Sequence, residues 1–196
     1  ESYDEWWSEY SLRSRYNEVD VPAMFVTGWY DSLLHENFKL FNGWTKEART
    51  GSSRRLTKLI VGPWSHQVSP WGRLPLGDGG EYQDRVFGDS ALWDIVDMHL
   101  RWYDARLKGI NTGIDEEPPI KLFVMGKNYW RHEREWPLAR TKWTNLYLDK
   151  KNILSFSTPV ENRLANSFIY DPKEPVPSWG AQYQTYDLCG PRDRRN

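Results

Sequence analysis

With 196 residues, the chain has room for one ordinary domain or for parts of two. Its 26 lysines and arginines stand against 27 aspartates and glutamates, a net charge of −1, so there is no electrostatic case for a nucleic-acid or anionic-membrane partner. No apolar run approaches the ~18 residues of a membrane span, and the single cysteine, Cys189, rules out an internal disulfide and mildly favours a reducing, cytoplasmic setting.

Asp4 to Arg15, with Trp6, Trp7, Tyr10 and Leu12, reads as an approach segment or short helix without chemistry of its own. Val21-Pro22-Ala23-Met24-Phe25-Val26-Thr27 and Leu56-Thr57-Lys58-Leu59-Ile60-Val61 follow as short apolar runs. Their length and β-branched content predict strands buried on both faces of a parallel sheet. Between them Leu34, Phe38, Phe41, Trp44 and Ala48 recur at three- and four-residue steps. That spacing predicts an amphipathic helix over 32–49, ended by Gly51-Ser52-Ser53. Strand–helix–strand crossovers are right-handed, which makes the two strands parallel and sends Asp31 and His66 off the same edge of the sheet. The carboxyl ends of parallel strands are where α/β proteins bind ligands.

Residues 69–89, rich in glycine and proline, predict a long irregular loop: a rim for the pocket, or a plain surface excursion. From Ser90, the residues Leu92, Ile95, Met98, Trp102 and Leu107 again fall at helical steps, and Lys108-Gly109 supplies the stop. Ile110 to Pro119, with its acids and Pro-Pro pair, reads as a linker, placing a boundary between 1–118 and 119–196. Beyond it, short runs at Ile120–Met125, Thr144–Leu148, Ile153–Phe156, Ser167–Tyr170 and Tyr183–Leu188 suggest an all-β sandwich.

An acid followed by an imidazole, each after a strand, matches the last two members of the order Ser…Asp…His in α/β-hydrolases. Asp31 would hold the imidazole of His66 in one tautomer while the ring accepts a serine proton. The bland alternative is a helix-capping aspartate and a solvated histidine. Around the pair, Trp64 is a candidate to line a substrate pocket or to pack beneath the histidine. Tyr30 flanks the acid, and His35 falls in the first turn of the helix near the rim. Asp31, His35 and His66 could imitate a metal site, but no H-E-x-x-H or cysteine cluster supports one. His99 reads as a packing histidine and His132 as a solvated one. Trp130 and Trp136 could form a sugar-stacking platform or a buried interface, and the 12 tryptophans leave a carbohydrate- or protein-binding module as the rival to an enzyme.

Gly28-Trp29-Tyr30-Asp31 and Gly62-Pro63-Trp64-Ser65-His66 resemble the cocaine-esterase/NonD-type serine hydrolases, relatives of the X-prolyl dipeptidyl aminopeptidases and α-amino-acid ester hydrolases. Leu122-Phe123-Val124-Met125-Gly126, Trp130-Arg131 and Glu135-Trp136-Pro137-Leu138 are similar to the start of that family's C-terminal jelly roll. Tyr170-Asp171-Pro172 with Pro175-Val176-Pro177-Ser178 resembles a later loop of the same domain. The resemblance implies an α/β fold: the C-terminal portion of an α/β-hydrolase domain over 1–118, then a partial jelly-roll sandwich over 119–196. It makes Asp31 the triad acid and His66 the base, acting on ester or amide bonds, X-Pro peptides included, with no cofactor and no metal. The family's nucleophile stands in a G-x-S-x-G elbow before the acid, and this sequence contains none. Its oxyanion donors, a tyrosine far upstream and the amide after the serine, are missing as well. The expectation is therefore a C-terminal piece of a longer hydrolase, inactive by itself. Its partners would be an ester, amide or short-peptide substrate and the N-terminal part of the same protein, with the oligomeric state open.

Overall fold

The fold is built around β2, Lys58–Ser65, whose eight residues are all buried. The computed structural model describes residues 3–66, 87–91, 93–149, 153–159 and 167–176. On one side β2 pairs in parallel with β1, Met24–Tyr30, and on the other with β3, Ile120–Val124. β4, Tyr129–Glu133, then closes antiparallel on β3, giving the order β1-β2-β3-β4. Parallel neighbours on both sides and helices on both faces account for the unbroken burial of β2.

The period of two along β2 divides its side chains between two cores. Leu59 and Val61 join Ile120 and Leu122 of β3 and receive Phe38 and Phe41 from α2, Leu34–Glu47. Ile60 and Trp64 face the other way and pack with Met98 of α4, Ile95–Leu107, and with Trp93 and Trp130. Side-chain caps open α1 and α4. Asp4 accepts from the Trp7 amide ahead of α1, Glu5–Tyr10, and Asp94 accepts from the Asp97 amide at the start of α4. Gly109, at φ +67°, ends α4 in the left-handed conformation that glycine adopts without strain.

Some expectations change. Gly51-Ser52-Ser53 does not merely stop a helix: Thr50 accepts from the Ser53 amide at 3.0 Å and opens a further helix, α3, Gly51–Leu56. α4 starts at Ile95 rather than Ser90, because Asp94 caps it, its carboxylate accepting from the Asp97 amide. The linker residues return to the sheet, where the Pro119 carbonyl accepts from the Leu59 amide at 2.9 Å. β3 therefore extends the sheet that carries Asp31, whereas the sequence pattern assigned it to a separate sandwich. By its contacts the chain divides into two compact units, one reaching to Trp136 and one spanning Pro137–Ser178.

The second unit holds one antiparallel hairpin, β5, Tyr147–Asp149, against β6, Ile153–Ser155. Ser167–Tyr170, expected as a strand, runs exposed and without one, since among the described residues no neighbour offers it a ladder. The 69–89 loop up to residue 86 and the Tyr183–Leu188 run lie outside the described residues.

Burial of β2 includes Lys58, which is only 6% exposed and donates through Nζ to the Glu117 carbonyl. Loss of hydration pushes its ammonium below the ordinary lysine range, against the opposing pull of Glu117 and Asp115. Between the lowered folded value and the ordinary lysine value, the unfolded chain therefore binds more protons than the folded one. Stability from this group rises with pH across that window. Tyr16, whose burial raises its phenol, acts in the opposite sense, so the comparison is made between variants. Urea unfolding of Lys58→Met as a function of alkaline pH is expected to show a flatter rise than the wild-type chain.

Candidate active site

The two predicted strands deliver their polar ends to one place. Asp31 is the first residue after β1 and His66 the first after β2, at the carboxyl ends of parallel neighbours. Nδ1 of His66 lies 3.0 Å from Oδ1 of Asp31. The acid is sunk and the base accessible: their side chains are 8% and 37% exposed.

Local geometry explains how two short strand ends meet. The register runs evenly from Met24↔Lys58 to Gly28↔Gly62, then slips to Tyr30↔Ser65, so β2 carries one extra residue. Such a bulge bends its strand and re-aims the residues beyond it. At Gly28 the strands are so close that a Cβ would lie 2.0 Å from the Trp64 carbonyl oxygen. Glycine is required there for the approach itself. Gly62 likewise leaves room for the Trp64 ring, which a Cβ would meet at 2.3 Å.

The Asp31 carboxylate is held by several donors. Oδ1 accepts from the Leu33 amide at 2.8 Å as well as facing His66, and Oδ2 accepts from the Thr27 hydroxyl at 3.0 Å. The Leu33 bond is an Asx turn, leading the chain into α2, whose N-cap is Leu33 without a side-chain cap. Asp31 thus serves both readings of its sequence position: it shapes the turn and it meets the histidine. An ionised carboxylate has no proton to give, so Nδ1 of His66 carries the shared hydrogen and Nε2 keeps a lone pair. A buried acid against a part-exposed ring is the geometry that general acid–base chemistry requires.

The other sequence candidates divide. Trp64 is 1% exposed and stacks on Trp93 at 5.4 Å and 17°. That corrects its candidacy as a pocket residue; its role is to support the histidine loop from below. Tyr30 is half-buried against Phe87, Ala91 and Phe123. His35 is exposed in the first turn of α2, four residues beyond the acid. His99 is a packing histidine, with Nδ1 against the Ile95 carbonyl at 2.6 Å. Trp130 packs on Trp64, Trp93 and Phe123, and Trp136 stacks on Phe38 at 4.4 Å, so neither forms an open platform. Among the described residues no group of three histidine, cysteine, aspartate or glutamate side chains could hold a metal ion, and no helix is long and apolar enough to cross a membrane. Sequence reading missed Thr27. In a run of β-formers a threonine looks like any other strand residue, and the turn that brings it to the acid, closed by the Asp31 amide on the Gly28 carbonyl at 3.0 Å, is not marked in the sequence.

Residues 1–68, which contain both Asp31 and His66, match the family model described as X-Pro dipeptidyl-peptidase (S15 family). Cocaine esterase of Rhodococcus sp. (strain MB1 Bresler) is 32% identical over 204 residues, covering 98% of this chain and 33% of that protein. The fold is shared with an aminopeptidase from the marine sediment archaeon Thaumarchaeota archaeon (TM-score 0.68, 22% identity, 90% of this chain and 28% of that one). A CocE/NonD family hydrolase from Staphylococcus aureus aligns at TM-score 0.51 and 18% identity, over 79% of this chain and 24% of its own. The chain is related to the serine hydrolases of the S15 and CocE/NonD type. It spans a third or less of the length of these relatives.

Gly28→Ala tests the geometry directly. Forcing a Cβ onto the Trp64 backbone is expected to cost about 1–3 kcal/mol, the usual penalty for overpacking, read from the urea midpoint. The same variant should lose the far-downfield proton resonance of a His66 Nδ1–H bound to a carboxylate.

Proposed function

We propose that this chain carries the acid and the base of a serine hydrolase that cleaves ester or amide bonds by acyl transfer. The observation that supports this reading best is the 3.0 Å approach of His66 Nδ1 to Asp31 Oδ1 at the carboxyl ends of adjacent parallel strands. In the reaction, a serine hydroxyl attacks the substrate carbonyl and its proton passes to Nε2 of His66. Asp31 stabilises the imidazolium that results. The ring then gives the proton to the leaving alcohol or amine, and a water activated by the same nitrogen releases the acyl group.

The sequence has no G-x-S-x-G elbow. In this reading the serine and the oxyanion donors belong to a preceding region of a longer hydrolase, and the chain alone is inactive. The sheet order supports that assignment: among the described residues β1 lies at the edge, with β2 on one side only. β1 is apolar and partly buried, and a further parallel strand could join it there and bring a nucleophile beside His66. The named activities of the relatives, cocaine esterase and X-Pro dipeptidyl-peptidase, span esters and peptide amides. Transfer of an acyl group to water is common to both.

Joined in one polypeptide to an upstream segment carrying a G-x-S-x-G serine, the chain is expected to hydrolyse a short-chain aryl ester, while the 196 residues alone are not. His66→Ala in the joined enzyme should abolish turnover, and survival of more than a few per cent of the rate overturns its role. Asp31→Asn should lower kcat by ~10⁴, the effect of imposing the wrong histidine tautomer in a chymotrypsin-type triad.

A further inference from the structure

We infer that Thr27 is a positioning residue for the acid–base pair: its hydroxyl holds one oxygen of Asp31 so that the other is presented to His66. The inference rests on the reading of Asp31 and His66 as triad acid and base. Thr27 stands in β1 opposite Val61 and is 0% exposed. At a wholly buried strand position valine offers nearly the same shape and the same β preference, with no polar atom to desolvate. A buried hydroxyl is a net cost unless it is hydrogen-bonded. The bond it makes is to Oδ2 of Asp31, at 3.0 Å, with the hydroxyl as donor because the ionised carboxylate can only accept.

The geometry makes this bond directional. Thr27 and Asp31 are four residues apart, and the turn that the Asp31 amide closes on the Gly28 carbonyl at 3.0 Å brings their side chains together. The β-branch stiffens χ1 of Thr27 and so fixes the direction of the donor. The carboxylate's own terminal torsion is broad and roughly two-fold, and by itself does not choose which oxygen faces the ring. With Oδ2 held by Thr27 and Oδ1 by the Leu33 amide, the plane of the carboxylate is set before His66 arrives.

Nuclear magnetic resonance on the intact chain separates this from a packing role. The measurements are the ring-nitrogen tautomer of neutral His66 and the far-downfield proton resonance of its Nδ1–H. They are compared in wild type, Thr27→Val, Thr27→Ser and Asp31→Asn. Wild type should hold the His66 proton on Nδ1, and Asp31→Asn should lose that preference. Thr27→Val should release part of the ring population to the Nε2–H form and weaken or lose the downfield Nδ1–H resonance. Thr27→Ser keeps the donor and should hold the wild-type tautomer and resonance. A valine variant with the wild-type tautomer and resonance, or a serine variant that departs as far as valine, overturns the positioning role while leaving the pair intact. An Asp31→Asn variant with an unchanged tautomer removes the pair itself, and the inference falls with it. If Thr27→Val does not fold, Thr27→Ala is read by the same criteria.

Discussion

The site depends on how closely β1 and β2 approach at Gly28. There the backbone of one strand meets the Trp64 carbonyl of the other at a separation that leaves no room for a Cβ. The bulge between Gly62 and Ser65 takes up the extra residue in β2 and turns its end toward β1. Trp64 sits inside that bulge, wholly buried and stacked on Trp93. The irregular stretch is therefore locked by an aromatic core rather than left loose. An aromatic stack is worth a fraction of a kcal/mol to about 1.5 kcal/mol beyond its buried area, enough to favour one loop conformation among several. His66 follows two residues later, its path already decided.

Electrostatics then separates the two partners. Asp31 is nearly out of water, and a carboxylate there is tolerable only because hydroxyl, amide and imidazole donors replace its hydration. His66 keeps more than a third of its side chain exposed. The asymmetry suits the division of labour in the proposed reaction, in which the enclosed acid acts through the ring and the ring is held at Nδ1. Hydrogen bonds to a charged group contribute roughly 1.5–3 kcal/mol each, so the carboxylate's orientation is among the most tightly determined features of this edge.

Much of this was legible in the sequence because local pattern carries it. β1, α2 and β2 announce themselves through apolar periodicity, and the crossover rule alone puts Asp31 and His66 on one edge. What was not legible depends on partners distant in the chain. β3 and β4 follow a Pro-Pro linker, and a short β run reads the same whether it extends the previous sheet or begins another. The Leu59–Ile120 pairing decides, and it spans about sixty residues. Trp64 beside the histidine suggested a pocket wall, yet burial is a property of what lies above and below it. α3 was hidden because Gly-Ser-Ser is as good an opening turn after Thr50 as it is an ending. Thr27 carried no signal until its hydroxyl had a neighbour.

The placement of β3 bears on how the base is held. With β3 paired to β2, the strand ending in His66 has parallel neighbours on both sides. Trp29 of β1 reaches across to donate its indole N–H to the Phe123 carbonyl of β3 at 2.7 Å. β1 and β3 are thus tied together over β2 near the carboxyl end of the sheet. Phe123, 1% exposed, packs in turn against Phe87 and Trp130. A strand paired on both sides cannot shift register without breaking both ladders, and a one-residue slip would turn every side chain to the opposite face. The strands that read as the start of a separate sandwich therefore help to fix the position of the imidazole.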